Sequence, residues 1–164
     1  MIQYKDLRDQ PLISVFGGRD VSAELMAEAE HFGRMAAKAG WIILNGGRMG
    51  VMEAVSKGVL EAGGLSIALL PGENLETANP YNQIAIATGI GFARNEILAC
   101  ACHAAVAFGG HYGTLSEIAY ALSMGKTVIG VKSWEISGMI HASNAGEAIE
   151  QLSKALQNRG KQDG

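Results

Sequence analysis

No stretch of this chain strings together the roughly 18 apolar residues that a membrane-spanning helix needs, although 48% of its 164 residues are hydrophobic. Its opening, MIQYKDLRDQ, lacks the apolar segment of a secretory signal, so neither export nor membrane association is expected. Cysteine is scarce. Cys100 and Cys102 are too close in sequence to staple a fold and miss the haem-attachment spacing C-x-x-C-H by one residue. Positions two apart do not share a helix face, so two reduced, packed thiols are expected, consistent with a cytoplasmic protein. Positive charge is scarce too, and a formal net charge of -3 argues against a protein that grips nucleic acid by its phosphates. The dinucleotide spacing G-x-G-x-x-G is absent, which sets NAD aside. His31, His103 and His141 have no partners at metal-ligand spacing, so no metal site is expected. No segment resembles a pyridoxal phosphate site.

Glycine is plentiful. There are 22, near twice the usual share of about 7%, and most recur at one kind of place. Apolar runs predict strands over 11–16, 41–45, 65–70, 83–88, 104–108 and 127–131. Between them, helical spacing predicts helices over 22–39, 50–62, 93–102 and from the GGHYG turn to about Met124, with a last one over 145–158. SWEISG reads as a loop and the tail RGKQDG as loose. With 18% charged residues and no internal linker, residues 1–160 read as one domain. Short strands alternating with helices predict a doubly wound, Rossmann-like α/β domain. Its mainly parallel sheet would have six or seven strands.

In such sheets ligands bind beyond the carboxyl ends of the strands. Three predicted strands end in a glycine pair: Gly17-Gly18, Gly46-Gly47 and Gly109-Gly110. Glycine lets a ligand approach the backbone, and the next helix offers free N–H groups and a positive dipole end. One glycine pair is explained by a tight turn alone. Three on one rim predict a phosphate-bearing ligand. Arg19 and Arg48 each follow a pair, and Arg94 stands at a helix start. There a cation opposes the dipole unless an anion lies between, the alternative being a solvated surface arginine. GKT at 125–127 ends like a P-loop, but Tyr120 stands where that motif needs glycine, and the segment runs from helix to strand. Thr114-Leu115-Ser116-Glu117 fits a capping box. Glu117 therefore has two readings, a cap for its own helix or a carboxylate that stabilises a developing sugar cation. Tyr120 and Trp134 read as packing residues.

GGHYGTLSE resembles the G-G-x-G-T-x-x-E signature of the LOG-like proteins, the cytokinin riboside 5′-monophosphate phosphoribohydrolases often mislabelled lysine decarboxylases. GWIILNGGRMGVMEAVSKGVLEAGG (40–64) and TGIGFARNEIL (88–98) resemble the other two blocks of that superfamily. They are most similar to its short branch, which includes the molybdenum cofactor carrier proteins. The resemblance spans about residues 12–132. It implies Arg94 and Glu117 as a catalytic pair if the protein is an enzyme. It implies Gly46, Gly47, Gly50, Gly110, Gly113 and Thr114 around a phosphate. Two features depart from the enzymes: Gly109 stands for their proline and His111 for their second glycine, so a side chain at 111 narrows the turn or touches the ligand. ARNEI also lacks their longer basic stretch.

The resemblance thus implies a small phosphorylated ligand, with molybdenum cofactor as bound cargo in a carrier that needs no cofactor of its own. The alternative is a hydrolase that releases free base and ribose 5-phosphate from a nucleoside 5′-monophosphate. A sensor of another nucleotide-like molecule is a third reading. Family members associate, so a homodimer or homotetramer is expected.

Overall fold

The computed structural model describes residues 9–160. The opening residues 1–8 and the tail end 161–164, on which the leader and loose-tail expectations partly rest, lie outside the described residues.

Strand β1 (Leu12–Gly17) shows how the core is divided. Ile13 and Val15 point to one face of the sheet, Ser14 and Phe16 to the other, and all four are buried. That is the period-2 alternation of a strand covered on both sides. The one polar member, Ser14, donates its hydroxyl to the Leu98 carbonyl at 2.7 Å, so its burial leaves nothing unpaired. Helix α1 (Ala23–Lys38) follows. Ser22 Oγ accepts from the Leu25 N–H at 3.2 Å, Glu24 sits in the first turn and Lys38 in the last. Its buried stripe is Leu25, Ala29, Phe32, Gly33 and Ala36.

The chain then runs β2 (Ile42–Asn45), α2 (Val51–Glu61), β3 (Ser66–Leu70) and, past a 3-10 turn at Leu75–Thr77, β4 (Ile84–Ala87). A second 3-10 turn, Gly91–Ala93, leads into α3 (Arg94–Ala101). After it come β5 (Ala104–Phe108), α4 (Tyr112–Ser123), β6 (Thr127–Val131), β7 (Ile140–Ala142) and α5 (Ala145–Gly160). All neighbours pair in parallel, in the order β4-β3-β2-β1-β5-β6-β7. The fold class is the expected one, with the larger of the two strand counts. The seventh strand escaped the sequence reading because Ile-His-Ala is too short to show alternation, and only Ala142 is buried.

Helices α1, α2 and α5 cover one face and α3 and α4 the other. The chain builds outward from β1 to β4, crosses through α3, and resumes at β5 on the other side of β1. At this switch point α1 leaves β1 toward one face while α4 leaves β5 toward the other, so a crevice opens between the two strand ends.

The α1–α2 contact depends on two glycines. A Cβ on Gly58 would lie 2.0 Å from the Glu30 carbonyl oxygen, and one on Gly33 2.3 Å from that of Val55. Backbones this close tolerate no side chain. Gly58→Ala should therefore destabilise the fold by about 2 kcal/mol through overpacking, despite alanine's better helix propensity. Urea unfolding checks this, and a loss below about 0.5 kcal/mol would mean that the helices part freely.

Candidate functional site

The crevice is built on the turn between β5 and α4. Gly109 (φ 55°) and Gly110 (φ 107°) reverse the chain in conformations that favour glycine. A Cβ on Gly110 would also lie 2.4 Å from the Thr114 side chain. The turn is held from behind: the Gly109 N–H donates to the Val131 carbonyl (3.2 Å), Ser133 Oγ to the Gly109 carbonyl (2.7 Å) and Trp134 Nε1 to the His111 carbonyl (3.3 Å). The first bond of α4 runs from the Leu115 N–H to the His111 carbonyl. The amides of Tyr112, Gly113 and Thr114 precede it and have no acceptor within the helix.

Neither α4 nor α2 has a side-chain cap, whereas α1 has Ser22. An anion at the α4 start would satisfy amides that a cap otherwise takes. Helix α4 also starts earlier than a cap at Thr114 requires. His111 is its N-cap, so Thr114 lies in the first turn and Glu117 a turn deeper, both buried. The capping-box reading is thereby corrected: Thr114 is inside the helix, and Glu117 is left for the cleft.

Arg94 is 9% exposed, not the solvated surface group that was the alternative for it. Its Nε donates to Asn95 Oδ1 (2.8 Å), and Nη1 to the Gly46 carbonyl (2.7 Å) and the Leu69 carbonyl. A guanidinium has five N–H donors, and both protons on Nη2 have no acceptor among the described residues. Burial pulls the Arg94 pKa down, the opposing charge of Glu117 pushes it up, and the like charges of Arg48 and Arg19 lower it further. It stays a cation at any ordinary pH. Three positive charges thus converge on the crevice. Glu117 is 7% exposed, and burial raises its carboxyl from 4.5 to about 8, against the pull of Arg94. Burial thus favours its uncharged acid form over the carboxylate.

A cleft of ≈ 380 Å³ collects these groups. Of the residues singled out in the sequence, Gly17, Gly18, Arg19, Arg94, His111, Gly113, Thr114 and Glu117 line it. Gly46, Gly47, Arg48, Gly50, Gly109 and Gly110 stand behind the lining. Their roles are legible in the geometry. A Cβ on Gly46 would lie 2.5 Å from Arg94 Nη1, so this glycine gives the guanidinium a flat bed. The Gly47 N–H is used by Asn45 Oδ1 (2.7 Å) and its carbonyl by the Asn79 N–H (2.8 Å). The second glycine pair therefore positions Arg94 and has little free backbone to offer a ligand.

Four lining residues were missed: Asp20, Met52, Phe92 and Asn95. Asn95 carried a signal, adjacency to Arg94, and its Nδ2 also donates to Ser116 Oγ at 3.0 Å, tying α3 to α4. A larger cavity of ≈ 550 Å³ lies at the opposite rim beside His103, Lys126 and Lys154. It is remote from the switch point, and the smaller cleft is the better candidate because the charge and the free amides meet there. Among the described residues no His, Cys, Asp or Glu group could hold a metal ion, and no helix is long and apolar enough to cross a membrane.

Residues 10–159 match the model of the SLOG cluster4 family. The fold superposes on the molybdenum cofactor binding protein of the phototrophic bacterium Rippkaea orientalis with a TM-score of 0.85 and 33% identity, covering 90% of this chain and 98% of that one. It superposes on the molybdenum cofactor carrier protein of Chlamydomonas reinhardtii with a TM-score of 0.82 and 32% identity, covering 90% and 99%. An uncharacterized protein of Archaeoglobus fulgidus is 42% identical over 120 residues, 73% of this chain and 79% of its own.

Proposed function

The chain belongs to the SLOG cluster4 family, and on that premise we propose that it carries molybdenum cofactor, a phosphorylated pterin, as cargo in the cleft between β1 and β5. The observation that carries this reading is the corner where the uncapped start of α4 meets the two unassigned protons of Arg94 Nη2. The cargo phosphate sits there, with Gly18, Gly113 and Thr114 as its backbone cradle and Arg19 as a second cation. Gly17 sits beside that cradle, and His111 touches the ligand from the turn. Gly50 (φ 73°) and Arg48 shape the rim, since a Cβ on Gly50 would lie 2.3 Å from the Gly18 carbonyl oxygen. Likeness along nearly the whole length of proteins described as binding or carrying this cofactor supports the assignment.

The second reading is phosphoribohydrolase activity, favoured by Arg94 and Glu117 lining one cleft. It needs an ionised Glu117 to stabilise a ribosyl cation, and burial, which raises that carboxyl to about 8, disfavours the anion at pH 7. A carrier has no such need: a neutral acid donates a hydrogen bond to cargo. The test is incubation at pH 7 with AMP and isopentenyladenosine monophosphate, beside a native mass spectrum with added molybdopterin. The expected result is retained pterin and no free base. Base release abolished by Glu117→Ala would replace this reading with the enzyme.

A homodimer or homotetramer belongs to the proposal. Ile90, Ala93, Ile97, Cys100 and Ala101, with Glu96, surround a largely apolar hollow of ≈ 400 Å³ on α3, where a second copy would remove it from water. So does a cytoplasmic location, in which exposed Cys100 and buried Cys102 stay thiols.

A further inference from the structure

The chain has four phenylalanines, and they divide sharply. Phe16, Phe32 and Phe108 are fully buried, while Phe92 is 84% exposed and lines the cleft. An aromatic ring left in water this fully has lost the burial that stabilises the other three.

Its position is nonetheless held. Phe92 sits on the 3-10 turn between Gly89 (φ 65°) and Arg94. The Gly89 N–H donates to the Gly72 carbonyl at 3.1 Å and the Gly91 N–H to the Pro71 carbonyl at 2.9 Å. Two residues later the buried guanidinium is bonded to Gly46 and Leu69. The backbone that carries the ring is thus anchored on both sides, two residues from Arg94. The cleft is also far larger than a phosphate. At ≈ 380 Å³ it falls in the range that takes a whole small ligand, and buried Met52 is the other large apolar member of its lining.

We propose that Phe92 is the stacking platform for the planar heterocycle of the ligand, and so decides that a ring-bearing phosphate is held in preference to a ring-free one. The inference rests on the reading of the cleft as a phosphate site and divides it into two ends. Arg94, Gly113 and Thr114 take the phosphate, while Phe92 and Met52 take the flat ring. A stacked ring is polar-edged and flat, so pterin and purine are both held more tightly than a bare sugar phosphate.

The test is calorimetric titration of the full chain and of Phe92→Ala and Phe92→Trp with three probes: neopterin monophosphate, AMP and ribose 5-phosphate. Phe92→Ala should weaken both ring-bearing probes about tenfold or more and leave ribose 5-phosphate within about twofold. Phe92→Trp should bind the ring-bearing probes at least as tightly as the wild type. Pterin fluorescence, quenched in the wild type by stacking, should recover in Phe92→Ala. Unchanged affinity for the ring-bearing probes in Phe92→Ala overturns the stacking role while leaving the phosphate site standing. An equal loss for all three probes, or a changed sedimentation coefficient with ring affinity intact, also overturns it, since Phe92 would then be structural or an interface residue. Failure of the wild type to bind any probe overturns this inference together with the function on which it rests.

Discussion

Arg94→Met should lower stability by about 3 kcal/mol and abolish retention of a phosphorylated ligand. Methionine fills a similar length but donates nothing. The Gly46 and Leu69 carbonyls and Asn95 Oδ1 would lose a charged donor at once, and buried acceptors left alone cost about 1–3 kcal/mol each. Part of that loss is offset, because the buried guanidinium no longer has to be desolvated. For a chain of this size the midpoint of thermal unfolding should fall by roughly 10 °C. Arg94→Lys keeps the charge but cannot span two carbonyls and an amide, so it should fall between wild type and methionine. Circular dichroism melts and the titrations above measure the two effects separately. A methionine variant within about 1 kcal/mol of wild type would mean that Arg94 does not tie β2 to β3.

Glu117→Gln should stabilise the ligand-free protein, and only at higher pH. Burial raises the carboxyl from 4.5 to about 8 in the fold. Between those values the native state keeps a proton that the unfolded chain has released. Protons bound in the unfolded state are therefore fewer, and stability falls as pH rises through the window. Glutamine has no proton to lose. Near pH 4.5 the two proteins should be nearly equal, and at pH 8 glutamine should be ahead by up to about 4 kcal/mol. Urea unfolding at several pH values reads this directly. A gap that does not widen with pH would show Glu117 already ionised near neutrality, and would move the balance toward the hydrolase. The two residues are coupled: with Arg94 replaced by methionine, the charge that favours the Glu117 anion is gone, and the loss of stability should extend to higher pH.

The alternation of strand and helix was readable because each element repeats a local period: two for β1, and close to 3.6 for the stripe Leu25, Ala29, Phe32, Ala36 on α1. The glycine pairs marked the strand ends for the same local reason. What each pair does was not readable. Gly46 and Gly47 look in sequence like Gly109 and Gly110, yet one pair beds a guanidinium and ties itself to Asn45 and Asn79, while the other opens a helix start. Glu117 failed in a related way. Its spacing from Thr114 is that of a cap, and only the place where α4 begins removes that role.

By itself, then, the order of residues determined a doubly wound sheet and the family, and it marked the glycine-rich ends of three strands, since all of these follow from patterns within a few tens of residues. The tertiary structure decided which glycines line the cleft, that Arg94 is buried with two protons to spare among the described residues, that burial shifts the Glu117 carboxyl upward, and that exposed Phe92 lines the cleft. Each of these depends on which groups from strands distant in the chain come to lie side by side, and on how much water they exclude. A side chain's charge, partners and exposure are set by that packing.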